Sequence, residues 1–138
     1  MQNIEDKDKQ GKRAFGIALP GGIGWVLTIR DLESLVSEID GPSSNRLKSL
    51  DVSILHDYIF TKLLSLSGHD FFGYTRDPQE AVNSISNGAP AAFLMNPPTV
   101  DDMRQIALGG EKMPQKSTYY YPKILSGLVL WSLNDYAG

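Results

Sequence analysis

The chain has 138 residues, 41% hydrophobic and 21% charged, with 13 Lys and Arg against 16 Asp and Glu and no cysteine. A chain of that size can bury a core without staples, and the missing cysteine excludes disulfides, thiolate metal sites and cysteine nucleophiles. The net charge of −3, with scattered cations, argues against general nucleic-acid binding. No apolar run approaches the ~20 residues of a spanning helix, so a cytoplasmic protein with no membrane partner is expected.

Residues 1–12 are nearly all polar or charged and read as a disordered lead or linker. Residues 13–138 then read as one domain. Phe15, Ile17 and Leu19 alternate, and so do Ile23, Trp25, Leu27 and Ile29. Pro20-Gly21-Gly22 between them is turn composition, so a β-hairpin is predicted, with Trp25 in the core. Asp31 suits a helix cap, followed by the stripe Leu32, Leu35, Val36, Ile39 and a stop at Gly41-Pro42. Residues 43–49 read as a loop or irregular bridge. Asp51 opens a second helix to about Leu64, with Val52, Leu55, Ile59 and Leu63 on one face, widened by Ile54 and Tyr58.

Residues 71–75 read as a short strand. Asp77-Pro78-Gln79-Glu80 combines a cap, a proline at the first helical position and a Glu that can reach back to the cap. Ala81, Val82 and Ile85 face inward, and Gly88 is the stop. Residues 91–95 form an unbroken apolar run, as in a strand covered on both faces. Asn96-Pro97-Pro98 breaks it, and Thr99 with Asp102 repeats the cap-and-return pattern. Met103, Ile106 and Ala107 face inward before Gly109-Gly110. Residues 117–121 read as a short strand or extended loop, and 125–133 as a strand. The expected fold is a mixed α+β domain. It has an N-terminal β-hairpin, helices, and then a strand–helix–strand–helix–strand unit, with helices packed on a mixed sheet whose strands 71–75 and 91–95 are parallel.

The densest chemistry lies at 113–123, Met-Pro-Gln-Lys-Ser-Thr-Tyr-Tyr-Tyr-Pro-Lys. Lys116 precedes two hydroxyls, Ser117 and Thr118, which suits a phosphate or carboxylate. The spacing is not that of a P-loop. If strands 71–75 and 91–95 are parallel, their carboxyl ends present Thr75, Arg76 and Asn96 beside two helix amino ends, an edge where open sheets bind ligands. His56 and Asp57 are neighbours on a helix, pointing away from each other, and His69 stands apart from them; neither histidine has the clustered carboxylates of a metal site. No nucleophile–base pair can be assembled, and no cofactor motif is recognised.

Several phrases resemble one family in order. They are Leu-Asp-Val-Ser-Ile-Leu-His-Asp at 50–57, Tyr-Thr-Arg-Asp at 74–77, Ala-Ala-Phe-Leu-Met-Asn-Pro-Pro-Thr-Val at 91–100, and the tract from 113 through Ile-Leu-Ser-Gly-Leu at 124–128. Together, over 15–133, they resemble the carboxyl-terminal part of the bacterial and archaeal family called domain of unknown function 1015. Its members are longer, and their amino-terminal region is similar to the ParB/sulfiredoxin superfamily, which includes free-serine kinases. The Asp-Gly-His-His-Arg motif of that region does not occur in this sequence. The resemblance implies that the chain is the carboxyl-terminal part of such a protein, and that nucleotide-linked phosphotransfer belongs to the whole. Lys116, Ser117, Thr118, Tyr120, Pro122, Lys123, His56 and Asp57 match by position, with no role implied.

The expected function is binding of an anionic small molecule, or lining one side of an active site completed by the amino-terminal family region. The candidate ligand-binding residues are Lys116, Ser117, Thr118, Tyr120, Lys123, Arg76 and Asn96. The alternatives are an interaction module without ligand, packing against the amino-terminal region or forming a homo-oligomer, and part of a serine-kinase-like phosphotransferase.

Overall fold

A computed structural model describes residues 12–66 and 72–119. The predicted lead up to residue 11, His69, Tyr120, Lys123 and the predicted strand at 125–133 lie outside the described residues. Two strands, β1 (Ala14–Leu19) and β2 (Ile23–Thr28), form the predicted antiparallel hairpin, paired from Ala14 opposite Thr28 to Leu19 opposite Ile23. Its link is one 3-10 turn, Pro20–Gly22, in which Gly21 takes a φ of 80° and Gly22 74°. These left-handed conformations are open to glycine without steric penalty.

The third strand, β3 (Ala92–Leu94), pairs antiparallel with the other side of β1, giving the order β2-β1-β3. This corrects the expectation of parallel strands. Residues 72–75 join no sheet, so no strand–helix–strand crossover forces parallel pairing. Phe72 instead packs its ring flat on Phe60, with centroids 4.6 Å apart. An aromatic contact holds this segment where ladder hydrogen bonds were expected.

Four helical segments lie between the hairpin and residue 66. In α1 (Leu32–Ser37), Asp31 caps the helix, accepting from the Ser34 N–H at 3.0 Å, and Leu35 and Val36 turn inward. The next, α2 (Asn45–Lys48), is one turn where a loop was expected. Ser44 caps it through the Leu47 N–H at 3.2 Å. Distant groups hold it: Glu111 accepts from the Ser44 N–H at 2.8 Å and from its hydroxyl, and Arg46 reaches Asp101 at 2.9 Å. A turn this short gains its stability from such contacts rather than from propensity.

The helix α3 (Asp51–Ser53) runs on into a π-helix, Ile54–Leu63. A π turn aligns residues five apart. Phe60 therefore joins Leu55 on the inner face, and Leu63, expected inside, is 60% exposed. Farther along are α4 (Pro78–Ser86) and α5 (Val100–Leu108). Asp77 caps α4 through Gln79, as predicted. Glu80 does not return to the cap; it accepts from the Thr75 hydroxyl at 2.5 Å, and that oxygen accepts the Asp77 N–H. Thr99 and Asp102 form the predicted capping box on α5.

The main core gathers Phe15 from β1, Leu35 and Ile39 from α1 and its exit, and Ile54, Leu55, Ile59 and Phe60 from the π-helix. A smaller cluster joins Leu50, Val52 and Ile106, with Met113 packed against it. Met95 packs on both. Burying Ile106 contributes on the order of 2 kcal/mol, so Met113 is pinned beside a firm anchor. Asp51 is 4% exposed and pairs with Arg13 at 3.2 Å, tying the hairpin to α3. The hairpin strands differ in one respect the alternation did not show: β1 is central, whereas every residue of β2 is exposed and Trp25, expected in the core, is 63% accessible.

Candidate functional site

The segment 112–119 contributes to two recesses. It is anchored just before its start and at Met113, and one internal hydrogen bond shapes it. Glu111 accepts the two Ser44 hydrogen bonds, Met113 packs on the Leu50–Val52–Ile106 cluster, and the Ser117 hydroxyl donates to the Pro114 carbonyl at 2.6 Å. The hydrogen bonds from the Ser44 hydroxyl and N–H hold the Glu111 carboxyl below its ordinary value.

The first recess is shallow, about 100 Å³, and is lined by Pro97, Pro98, Met103, Ser117, Thr118 and Tyr119. Beside it, the Arg76 guanidinium lies over the Tyr119 ring, 4.4 Å from its centroid. Asp77 and Glu80, the acids nearest Arg76 in sequence, bond elsewhere, and among the described residues Arg76 has no ion pair. A guanidinium held over a ring by cation–π attraction keeps N–H donors for a planar or phosphate-like anion.

Five of the seven candidate residues can thus be placed. Arg76 meets the 117–119 segment through Tyr119, and Thr118 borders the same recess. Asn96 immediately precedes the two prolines of the recess wall; its Nδ2 is enclosed and meets no acceptor among the described residues. Ser117 is buried, with its proton committed to Pro114. Lys116 is exposed in a left-handed conformation, φ 60°, and does not line the recess. Tyr120 and Lys123 lie outside the described residues. The expected setting between two parallel strand ends is not present, because 72–75 is no strand and β3 runs antiparallel to β1.

The second recess is larger, about 350 Å³, and the sequence did not point to it as a whole. Ile39, Leu47, Val52 and Pro114 supply apolar lining. Asp40, Lys48, Asp57 and Lys112 bring charges of both signs, and Ser43, Ser53 and Gln115 bring neutral polar groups. His56 lines it too. Its ring lies edge-on to Phe60 at 5.3 Å and to Phe72 at 5.5 Å, and stacks on Tyr74 at 5.9 Å. Burial raises the Tyr74 phenol above its ordinary value. His56 and Asp57, expected to diverge on a helix, both border this cleft. Lys48, Lys112 and Asp40 were missed because each is a single charge beside a loop or helix end. The signals the sequence did offer were Pro114 and Gln115, inside the dense 113–123 stretch, and His56 and Asp57, inside the phrase at 50–57.

Among the described residues, no three His, Asp or Glu side chains gather as a metal site, and no helix is long and apolar enough to cross a membrane. No protein-family model matches the chain, and neither curated proteins nor solved structures yield a match.

Proposed function

We propose that this domain binds an anionic small molecule at the ledge formed by Arg76, Thr118 and Tyr119, as one wall of a shared site. The supporting observation is the Arg76 guanidinium over the Tyr119 ring, 4.4 Å from its centroid, with no acidic partner among the described residues. Two segments more than forty positions apart in the sequence meet there. At about 100 Å³ the adjoining recess is well below the ~300 Å³ at which small-molecule sites begin. A second surface is needed to enclose a ligand, and an amino-terminal family region would supply it. The resemblance to the domain of unknown function 1015 family, resting on the sequence phrases, supports the same reading. Nucleotide-linked phosphotransfer would then belong to the completed site.

Calorimetric titration of the 138-residue chain with inorganic phosphate, phosphoserine and nucleotides tests the proposal. The expected result is weak binding that Arg76→Ala reduces about tenfold or more, the range of one lost charge-assisted contact. Binding indifferent to Arg76→Ala and to Lys116→Ala would remove the site from the ledge.

A second reading has one observation in its favour. Ile23, Trp25, Val26 and Leu27 expose apolar surface along β2, as in an interaction module. Light scattering separates the two: a concentration-dependent rise in mass together with no anion binding favours that module.

A further inference from the structure

The larger cleft differs in kind from the ledge. Its volume of about 350 Å³ falls within the size range of small-molecule sites. It is built without Arg76, Thr118 or Tyr119. Four charged residues border it, Asp40, Lys48, Asp57 and Lys112. Among the described residues, none of the four makes an ion pair or a side-chain hydrogen bond. Elsewhere, Arg13 reaches Asp51, Arg46 reaches Asp101 and Asp102, and Lys62 reaches Glu38. The cleft charges thus stand apart from one another around a common space.

That arrangement selects a ligand by charge. A simple anion gains from Lys48 and Lys112 but meets Asp40 and Asp57; a simple cation meets the reverse. A molecule carrying both signs gains from both pairs. Ile39, Leu47, Val52 and Pro114 add apolar lining that a purely polar ligand would leave in poor contact. We propose that this cleft binds a small zwitterion with an apolar body, of the class of the aliphatic and aromatic amino acids. Lys48 and Lys112 take the carboxylate, Asp40 and Asp57 the ammonium, and the apolar lining covers the side chain. The cleft is separate from the ledge, so this inference stands or falls independently of the anion site.

The experiment titrates the 138-residue chain with L-leucine and L-phenylalanine by calorimetry. The comparators are 4-methylpentanoate, which has only the carboxylate, isoamylamine, which has only the ammonium, L-serine, which lacks the apolar body, and inorganic phosphate. The expected result is binding of leucine or phenylalanine, with each comparator about tenfold weaker or more, the loss of roughly one charge pair or one buried side chain. Lys48→Met and Asp57→Asn should each weaken the amino acid by a similar factor, with unchanged circular dichroism. Arg76→Ala should leave it unaffected. Phosphate or the lone carboxylate binding as tightly as leucine would overturn the zwitterion assignment. So would the absence of amino-acid binding at millimolar concentration, or binding indifferent to both cleft substitutions.

Discussion

Charge is used in two ways on neighbouring parts of this molecule. Around the amino ends of α2, α3 and α5, Arg13 meets Asp51, Arg46 meets Asp101 and Asp102, Thr99 and Asp102 close a capping box, and Ser44 meets Glu111. Around the large cleft, Asp40, Lys48, Asp57 and Lys112 make no such bonds among the described residues. Apart from the local Thr99–Asp102 box, the first group joins elements that are distant in sequence. The second forms no ion pair among the described residues and borders a common space, although the Asp40 charge also acts on Lys62 outside the cleft. Among the described residues, the paired charges of this group belong to architecture, and the cleft charges without an ion pair remain available to a solute.

The comparison breaks most visibly at Asp51. Removing a carboxylate that is 4% exposed strands the Arg13 guanidinium beside the core. Asp51→Ala is expected to cost roughly 3 kcal/mol, the range for breaking a buried pair. Urea unfolding checks this, and a loss no larger than that of an exposed pair would place Asp51 outside the architectural group.

A smaller loss is expected at Thr99. Thr99→Ala removes a helix cap and should cost about 1 kcal/mol. It should also flatten the acid limb of the stability curve. Burial opposes ionisation of Asp102, but the Thr99 hydrogen bonds and the Arg13 and Arg46 charges outweigh it, so its carboxyl lies below its ordinary value. A lowered folded value means that this stabilisation is complete above the unfolded value and is lost as pH falls through the folded one. Unfolding midpoints followed into that acid range should therefore draw closer for Thr99→Ala and the parent chain, with the cap bond from the Asp102 N–H keeping them apart. Parallel curves would contradict the assignment.

The cleft residues define the other end of the scale. Lys48→Met, Asp57→Asn and Lys112→Met should each change stability by less than about 0.5 kcal/mol, as surface substitutions away from structural partners do. Thermal unfolding measures this without any ligand. A clear loss at Lys48 or Lys112 would move that residue into the architectural group and weaken the cleft as a binding site.

Legibility in the sequence followed the same division. The hairpin, the Asp31 and Asp77 caps, the Thr99–Asp102 box and the α1 stripe depend on neighbours within a few positions, and each was readable. The α2 turn was not, because Ser44 depends on Glu111 and Arg46 depends on Asp101. The antiparallel pairing of β3 with β1 was missed because residues 72–75 have strand composition but settle on Phe60 instead. Arg76 was recognised as a candidate, yet its partner, Tyr119, could be found only in three dimensions. The cleft was illegible for the same reason: its charges are isolated in sequence and become neighbours only after packing.

The bond from Ser44 to Glu111 has a further consequence, for the order in which the molecule is completed. It closes a loop of 67 residues. Closing such a loop is opposed by chain entropy, which local turns and the hairpin hardly encounter. The large cleft draws one wall from residues 39–57 and another from 112–115, so it cannot exist before that closure. A nascent or proteolytically shortened chain ending before Glu111 would keep its caps and hairpin but lack a cleft wall. Occupancy of the cleft would therefore report that residues 111–115 have docked, making ligand response an assay of that closure as well as of affinity.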